Sequence, residues 1–311
     1  MLISVLLLLI GFVIVIKGAD FLIDGASSLA KKMSISEIAI GLTIVAFGTS
    51  APELIVNIFA SIGGYHEITF GNILGSNIFN ILMVLGIAGI ISTIAVKRNT
   101  ILKEIPFLLA ATLMAFGLAL WNSDLSLLDG IILIVFLIIF FIYVIGFLKA
   151  KPLLGSDIKE RSYFVTFLMM ISGMAGLFFG GKFVIDNAVL IARYFEVSEK
   201  FIGLTIVALG TSLPELVTSI IAIIKGRNDL AIGNVIGSNL FNLLLVLGIS
   251  SLISPIHYDI ALNIDFIFLC VITIMLFTSM FIGKKHKLTK IEAVFFVLLY
   301  FGYLIFLFIR R

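Results

Sequence analysis

The amino-acid sequence predicts an all-α membrane protein, with ten transmembrane helices arranged as two five-helix repeats of inverted topology. Three observations lead to this fold class: a very apolar composition, basic residues concentrated in alternate loops, and a polar pattern that recurs 162 residues later. Hydrophobic residues make up 61% of the 311 residues and charged residues only 13%, whereas a soluble domain is about 25% charged. Such a chain requires lipid as the solvent for its apolar surface.

Ten apolar segments have lengths near the ~20 residues that span a bilayer as a helix. The predicted spans are 2–30, 37–63, 68–94, 103–121, 126–148, 162–192, 199–224, 229–253, 260–282 and 289–309. The most polar connection, 149–161, lies between the fifth and sixth spans. We therefore predict a first five-helix repeat at 1–150 and a second at 151–311.

The basic residues predict the orientation in the membrane. Fifteen lysines and arginines lie in or beside the loops after odd-numbered spans, and four lie after even-numbered spans. Because cytoplasmic loops are enriched in Lys and Arg, we expect the odd loops in the cytoplasm and both termini outside the cell membrane. The net charge of +3 then reflects topology, and neither nucleic acid nor a protein partner is indicated.

Two polar strings occur twice at the same offset. Residues 41–54, GLTIVAFGTSAPEL, return at 203–216 as GLTIVALGTSLPEL, and 71–80, GNILGSNIFN, return at 233–242 as GNVIGSNLFN. Packing alone would preserve small and apolar residues, but acids, amides and hydroxyls are repeated here. Five spans per half is an odd number, so the second half enters the membrane from the opposite side. Inverted repeats are typical of secondary transporters, whose sites lie at mid-membrane between the repeats.

Spans two and seven each carry a proline followed directly by a glutamate. Pro52 precedes Glu53, and Pro214 precedes Glu215. Because proline has no N–H, the helix should break or kink near Gly48–Pro52, and the carbonyl of Gly48 and neighbours such as that of Ala46 should lose their usual partners. Irregular backbone at membrane depth survives only where it lines a cavity, and intramembrane carboxylates usually mark ion or proton pathways.

Hydroxyl and amide side chains accompany both glutamates. Thr49 and Ser50 lie four and three residues before Glu53, which places them on its helix face. The other members of this polar cluster are Thr211, Ser212, Asn72, Ser76, Asn77, Asn80, Asn234, Ser238, Asn239 and Asn242. Hydrogen bonding between helices is an equally good interpretation of Asn72 and Asn234. A cluster of oxygens without sulfur or imidazole favours Na+ or Ca2+ over Zn2+ or Cu.

The charge of the cluster suits exchange between these two ions. Two ionised carboxylates carry about −2 of charge, which one Ca2+ neutralises and two or three Na+ balance to within one charge. Either ion can fill such a site but not both, and an exchanger requires this competition. Mg2+ is disfavoured because it gives up its water reluctantly.

The duplicated strings resemble the two alpha-repeats of the cation/Ca2+ exchanger superfamily, specifically of its Na+/Ca2+ exchangers, here at 41–86 and 203–248. The resemblance implies secondary active antiport, usually of three Na+ for one Ca2+, with these ions as cargo and no cofactor. It implies alternating access by sliding of spans 1 and 6 across a four-helix core. The implied ligands are the side chains of Glu53, Glu215, Asn80, Asn242, Thr49, Ser50, Thr211, Ser212, Ser76 and Ser238, with the carbonyls of Ala46 and Ala208.

One position departs from part of the superfamily. Several branches, including the K+-requiring exchangers, have Asp where this chain has Asn242. With Asn at both 80 and 242, the site keeps only two acids, which disfavours K+ co-transport and weakens a proton-coupled interpretation. The connection 149–161 is also too short to hold the regulatory domains of animal exchangers.

Three alternatives remain open at this point. A Ca2+/H+ antiporter would use Glu53 and Glu215 as proton carriers, and a passive channel would use the same pathway without coupling. An intramembrane aspartyl enzyme would use Asp24 and Asp186. These two acids are related by the repeat but lie towards opposite ends of their spans, so we do not expect them to share a proton. The repeated glutamates would also have no role in such an enzyme.

Overall fold

The computed structural model describes residues 2–147, 159–196, 208–282 and 284–310, and most of them are helical. Within these ranges eight helices are long and apolar enough to cross a membrane, and one sharply bent pair makes a ninth. Predicted span seven begins in the part of the chain outside the described residues, and its described part is a shorter apolar helix. The chain is therefore a multi-pass helical membrane protein.

The first half contains six helices within residues 2–147. They are α1 (Leu2–Met33), α2 (Glu37–Thr49), α3 (Ala51–Ile62), α4 (66–91), α5 (100–122) and α6 (Leu127–Phe147). Three of these helices contain a π-helical turn, at Gly41–Val45 in α2, at Asn80–Val84 in α4 and at Thr100–Glu104 in α5. Such turns insert an extra residue into a helix and are frequent at functional sites.

The described part of the second half also contains six helices. They are α7 (Tyr163–Tyr194), α8 (Ala208–Thr211), α9 (Leu213–Ile224), α10 (228–253), α11 (Asn263–Ser279) and α12 (Lys290–Ile309). Helix α10 carries a π-helical turn at Phe241–Val246, and a 3-10 turn at Ile260–Leu262 leads into α11.

The predicted break in span two is confirmed. Helices α2 and α3 meet at an angle of 49°, and Ser50 between them leaves the helical region with φ −85° and ψ 6°. Pro52 lies in the first turn of α3, where a missing N–H costs nothing. Ser212, between α8 and α9, has φ −87° and ψ 6°. The two proline-glutamate segments thus share one backbone geometry.

The repeat extends to other backbone details. Ser92 and Ser254, which end α4 and α10, have φ/ψ of −150°/141° and −152°/140°. Gly64 and Gly226, which follow α3 and α9, have φ of +72° and +71°, a conformation that glycine adopts without strain. Both pairs are separated by 162 residues, the offset of the sequence repeat.

Two short antiparallel strand pairs connect the halves. Strand β1 (Ile94–Ala95) pairs with β4 (Lys287–Leu288), and β2 (Asp124–Leu125) pairs with β3 (Ile256–His257). In the predicted numbering of the spans, the first pair joins the loops after spans three and nine, and the second joins the loops after spans four and eight. Each strand pair therefore links two odd-numbered loops or two even-numbered loops.

Helices α1 and α7 pack against each other at backbone distance. A Cβ atom added to Gly18 would lie 2.8 Å from the amide nitrogen of Leu177, and one on Gly173 would lie 2.6 Å from that of Leu22. Small residues permit such close contact between membrane helices.

Helices α2 and α10 are in similarly close contact at the centre of the molecule. A Cβ atom on Gly41 would lie 2.9 Å from the Leu230 carbonyl oxygen, and one on Gly237 would lie 2.6 Å from the Ala46 Cβ. This contact places the polar residues of α2 directly against those of α10.

Candidate functional site

The two intramembrane glutamates lie at the starts of the two helices that follow the breaks. Glu53 and Glu215 are fully buried. The Ser50 hydroxyl donates to Glu215 Oε1 at 3.0 Å, and the Ser212 hydroxyl donates to Glu53 Oε1 at 3.2 Å. Each half therefore supplies the serine that binds the other half's carboxylate. This differs from the single helix face predicted for Ser50 and Glu53, because the chain bends between them.

Helix α4 brings a second hydroxyl to Glu53. Ser76 Oγ lies 3.5 Å from Glu53 Oε1 and 3.0 Å from Ser212 Oγ. All three side chains are buried. One carboxylate oxygen of Glu53 thus receives serine hydroxyls from both halves of the chain.

The two threonines at the breaks form hydrogen bonds with asparagines of the opposite half. Thr49 Oγ1 donates to Asn234 Oδ1 at 3.0 Å and lies 3.2 Å from Ser238 Oγ. Thr211 Oγ1 donates to Asn72 Oδ1 at 3.4 Å. Of the two interpretations of Asn72 and Asn234, hydrogen bonding between helices is therefore the one that the structure displays.

The expectation that the break frees the Ala46 carbonyl is wrong. This oxygen accepts the Ser50 N–H at 3.0 Å and lies 3.2 Å from the Thr49 hydroxyl, whose single hydrogen is donated to Asn234. The physical reason is that Pro52 removes only the hydrogen bond that its own N–H would make, to the Gly48 carbonyl four residues earlier. The ordinary bond to Ala46 survives.

The four asparagines at 77, 80, 239 and 242 form one hydrogen-bonded group, and all are fully buried. Asn80 Nδ2 donates to Asn239 Oδ1 at 3.0 Å, and Asn242 Nδ2 donates to Asn77 Oδ1 at 3.1 Å. Asn77 and Asn239 also donate to each other's backbone carbonyl, both at 3.3 Å. The implied ligand set omitted Asn77 and Asn239. Their recurrence at the 162-residue offset places both in the polar cluster predicted from the sequence, which gave them no role of their own.

Four acceptor oxygens at this site have no donor within the described part of the chain. They are Glu53 Oε2, Glu215 Oε2, Asn80 Oδ1 and Asn242 Oδ1, and all are buried. None of the ion pairs formed by the described residues involves either glutamate. Buried acceptors without donors are costly. Carboxylate and amide oxygens without hydrogen-bond donors are suitable ligands for a hard cation such as Na+ or Ca2+.

The structure brings the predicted side chains of both halves into one buried region. Thr49, Ser50, Ser76, Ser212 and Ser238 all contact a residue of the opposite half, and so do the amides of Asn80 and Asn242. Thr211 contacts α4 of the first half. Ala208 begins α8 beside the residues that the structure does not describe.

Asp24 and Asp186 do not form a catalytic pair. Asp24 Oδ1 lies 2.5 Å from the Lys225 ammonium, which also lies 2.6 Å from Asp20. Asp186 lies 2.8 Å from Lys182 on its own helix. Each acid therefore has a basic partner and is partly exposed, so neither is poised to share a proton with the other.

Comparison with known proteins assigns the family. The model of the family described as sodium/calcium exchanger protein matches residues 3–146 and 165–309. The inner membrane protein YrbG of Escherichia coli is 36% identical over 83% of this chain and 82% of its own. The sodium/calcium exchanger MaX1 of Methanosarcina acetivorans is 30% identical over 98% of this chain and 99% of its own.

The solved structures agree with this assignment. The sodium-calcium exchanger NCX_Mj, in crystals soaked without Na+ and Ca2+, superimposes with a TM-score of 0.86 at 30% identity, covering 98% of this chain and 99% of that one. A structure soaked with both ions superimposes with a TM-score of 0.85. These relatives are transporters, so the aspartyl-enzyme alternative is wrong. The chain belongs to the sodium/calcium exchanger family of membrane transporters.

Proposed function

We propose that this protein is a secondary active antiporter that exchanges Na+ for Ca2+ by alternating access. The observation that carries the proposal is the group of four buried oxygens on two carboxylates and two amides that have no hydrogen-bond donor among the described residues. No basic residue in the same ranges pairs with either carboxylate. An uncompensated charge at this depth is strongly unfavourable. We infer that transported cations supply the missing positive charge.

The proposed cation ligands come equally from both halves. Glu53, Glu215, Asn80 and Asn242 would bind through their free oxygens. The hydroxyl and carbonyl groups proposed to complete the coordination are those of Thr49, Ser50, Thr211, Ser212, Ser76 and Ser238, and the backbone of Ala46 and Ala208. The carbonyl of Ala46 already accepts the Ser50 N–H, so it would bind an ion through its second lone pair.

We further propose ten spans in two inverted repeats, 1–150 and 151–311. The shared geometry of Ser50 and Ser212, and of Ser92 and Ser254, supports the repeat. The strand pairing supports the alternation, because it joins odd loops with odd and even loops with even. With the positive-inside bias, both termini lie outside the cell membrane.

The proposed movement is a displacement of α1 and α7 together. These two helices pack on each other at backbone distance along their glycines, so they can move as one body. The site lies instead on α2, α3, α4, α8, α9 and α10, which are joined by the buried hydrogen bonds described above. Sliding of one body past the other would expose the site to each side in turn.

We propose Na+ as the coupling ion. Na+ is favoured because both acceptor amides are neutral, which leaves two carboxylates to balance the cations, and because MaX1 and NCX_Mj are named as sodium/calcium exchangers. Proton coupling remains the alternative within the same family, since each glutamate could carry a proton instead of sharing a metal ion.

The test is radioactive calcium uptake into proteoliposomes containing the purified protein. We expect an outward Na+ gradient to drive uptake at constant pH, with no requirement for K+. Uptake that follows a pH gradient in the absence of Na+ would replace the proposal with Ca2+/H+ exchange. Single-channel currents in a planar bilayer would indicate a passive pore. Vesicles that contain the Glu53→Gln protein are the matched background for leak.

A further inference from the structure

We propose that Asn77 and Asn239 are positioning residues that make Asn242 and Asn80 into cation ligands by fixing the orientation of their amide groups. The inference rests on the proposed function, because it assigns a cause to the two free amide oxygens of the site. It concerns side chains that the implied ligand set does not include.

The orientation of an asparagine amide is not given by its shape, because its oxygen and nitrogen are nearly interchangeable in size. A backbone carbonyl removes the ambiguity, since it can only accept a hydrogen bond. Asn77 faces the carbonyl oxygen of Asn239 at 3.3 Å, and Asn239 faces that of Asn77 at the same distance. The nitrogen of each amide must therefore point to the opposite backbone.

This constraint passes from the first pair of amides to the second. Because the Asn77 nitrogen donates to the Asn239 carbonyl, the Asn77 oxygen faces Asn242. Asn242 must therefore donate to this oxygen through its own nitrogen, at 3.1 Å. Asn239 constrains Asn80 in the same way, at 3.0 Å. The oxygens of Asn242 and Asn80 are then turned away from the group of asparagines, and both are buried without a donor.

The turned-out oxygens lie on the faces of the helices that line the site. Asn80 is one turn after Ser76 on α4, and Ser76 contacts Glu53. Asn242 is one turn after Ser238 on α10, and Ser238 contacts Thr49. An amide in the opposite orientation would present its partly positive NH2 group to a cation. The two positioning asparagines therefore decide whether positions 80 and 242 attract or repel an ion.

The bonds cross between the halves, and this gives a distinctive test. Asn77 orients the ligand of the other repeat, Asn242, and not its own neighbour Asn80. We expect Asn77→Leu, which keeps the branched shape, to weaken Ca2+ binding to the purified protein about tenfold, the effect of losing one supporting hydrogen bond near a metal ligand. Isothermal titration calorimetry in detergent measures this directly.

A double-mutant cycle separates positioning from a packing role. Once Asn242→Leu has removed the ligand, adding Asn77→Leu should change the Ca2+ affinity less than about twofold. The pair Asn239→Leu and Asn80→Leu should behave alike and serves as a second cycle if one variant does not fold. Fully additive losses in both cycles would overturn the proposal, because asparagines that only hold the helices together would act independently of the ligands.

Two controls keep this result distinct from a failure of the proposed function. Asn187→Leu removes a buried amide on α7 that donates to the Phe183 carbonyl of its own helix, and it should leave Ca2+ affinity unchanged. If the unmodified protein binds no Ca2+, the proposed function fails. If it binds Ca2+ in a manner that depends on Glu53 but not on Asn77, only the positioning role fails.

Discussion

At the scale of single residues, the candidate site is characterised by two glutamates that each have one oxygen without a hydrogen-bond donor among the described residues. Both are buried, each accepts serine hydroxyls on one oxygen, and each keeps a second oxygen without a donor in the described chain. Among the described residues, Asp24 pairs with Lys225 and Asp265 pairs with Arg310, but neither glutamate has a basic partner. Under the proposed function, the transported cations balance the charge of the two glutamates.

Replacement of either glutamate by glutamine tests this charge balance. Glu53→Gln and Glu215→Gln keep the shape and the ability to accept a hydroxyl, but each removes half of the site's negative charge. We expect Na+-driven Ca2+ uptake to fall by about 100-fold or more, in the upper range for loss of a metal ligand. Glu292→Gln is the matched control, because glutamine can still complete the capping box at the start of α12. Uptake at the unmodified rate in either variant would contradict the assignment.

Asn242→Asp tests the number of acids in the site. A carboxylate at this position would add a third negative charge and could no longer donate to Asn77 Oδ1. We expect a changed ion profile, with about a tenfold shift in the Na+ or K+ concentration that supports half-maximal Ca2+ uptake. Asn187→Asp, on α7, controls for a new acid elsewhere in the membrane. An unaltered profile would place Asn242 outside the coordination of the ions.

The sequence indicates the two acids of the candidate site more directly than it indicates their surroundings. A glutamate after a proline in mid-span is informative by itself, because charge is so costly there. The positioning role of Asn77 was not predictable in this way, since it depends on a backbone carbonyl of the other half. The Ala46 prediction failed because proline removes the bond to the Gly48 carbonyl, whereas the bond from the Ser50 N–H to the Ala46 carbonyl is kept.

At the scale of helices, the break between α2 and α3 positions Glu53. Pro52→Ala restores an N–H that can bond to Gly48 and so favours a continuous helix. We expect a smaller bend and a displaced carboxylate, with Ca2+ uptake reduced on the order of tenfold. Pro255→Ala, in the exposed loop before β3, is the control and should transport normally. Full activity of Pro52→Ala would mean that packing, and not the proline, maintains the bend.

Hydropathy located most helices to within a few residues. Span five was predicted at 126–148 and is found at Leu127–Phe147, and span ten was predicted at 289–309 and is found at Lys290–Ile309. The π-helical turns and the four short strands were not predicted. A π-helical turn has no distinctive composition, and a two-residue strand depends on a partner loop that is distant in sequence.

At the scale of the whole molecule, one ion-pair cluster departs from the symmetry of the repeat. Lys225, which follows α9, contacts both Asp20 and Asp24 of α1. The position related to Lys225 is Gly63, and Asp186, the counterpart of Asp24, pairs with Lys182 within α7. Of these two groups of ion pairs, only the one around Lys225 connects α1 or α7 to a helix of the site.

Lys225→Gln should therefore shift the balance between the two access states. Partly exposed ion pairs contribute about 0–1 kcal/mol each, so we expect a change of about two- to fivefold in the ratio of Ca2+ half-saturation measured from the two faces of the vesicle. Lys182→Gln breaks an ion pair that joins no two helices, and it should leave this ratio unchanged. Equal ratios in all three proteins would show that the cluster does not bias the movement.

The crossed serine–glutamate bonds also bear on ancestry. A contact made twice with the roles of the partners exchanged is the signature of a two-fold interface between identical subunits. Ser50 to Glu215 and Ser212 to Glu53 form such a pair, and so do the two asparagine bonds. Two copies of one five-helix chain, inserted in opposite directions, would supply every one of these contacts. The centre of the protein could thus have functioned as a homodimer before a gene fusion joined its two parts.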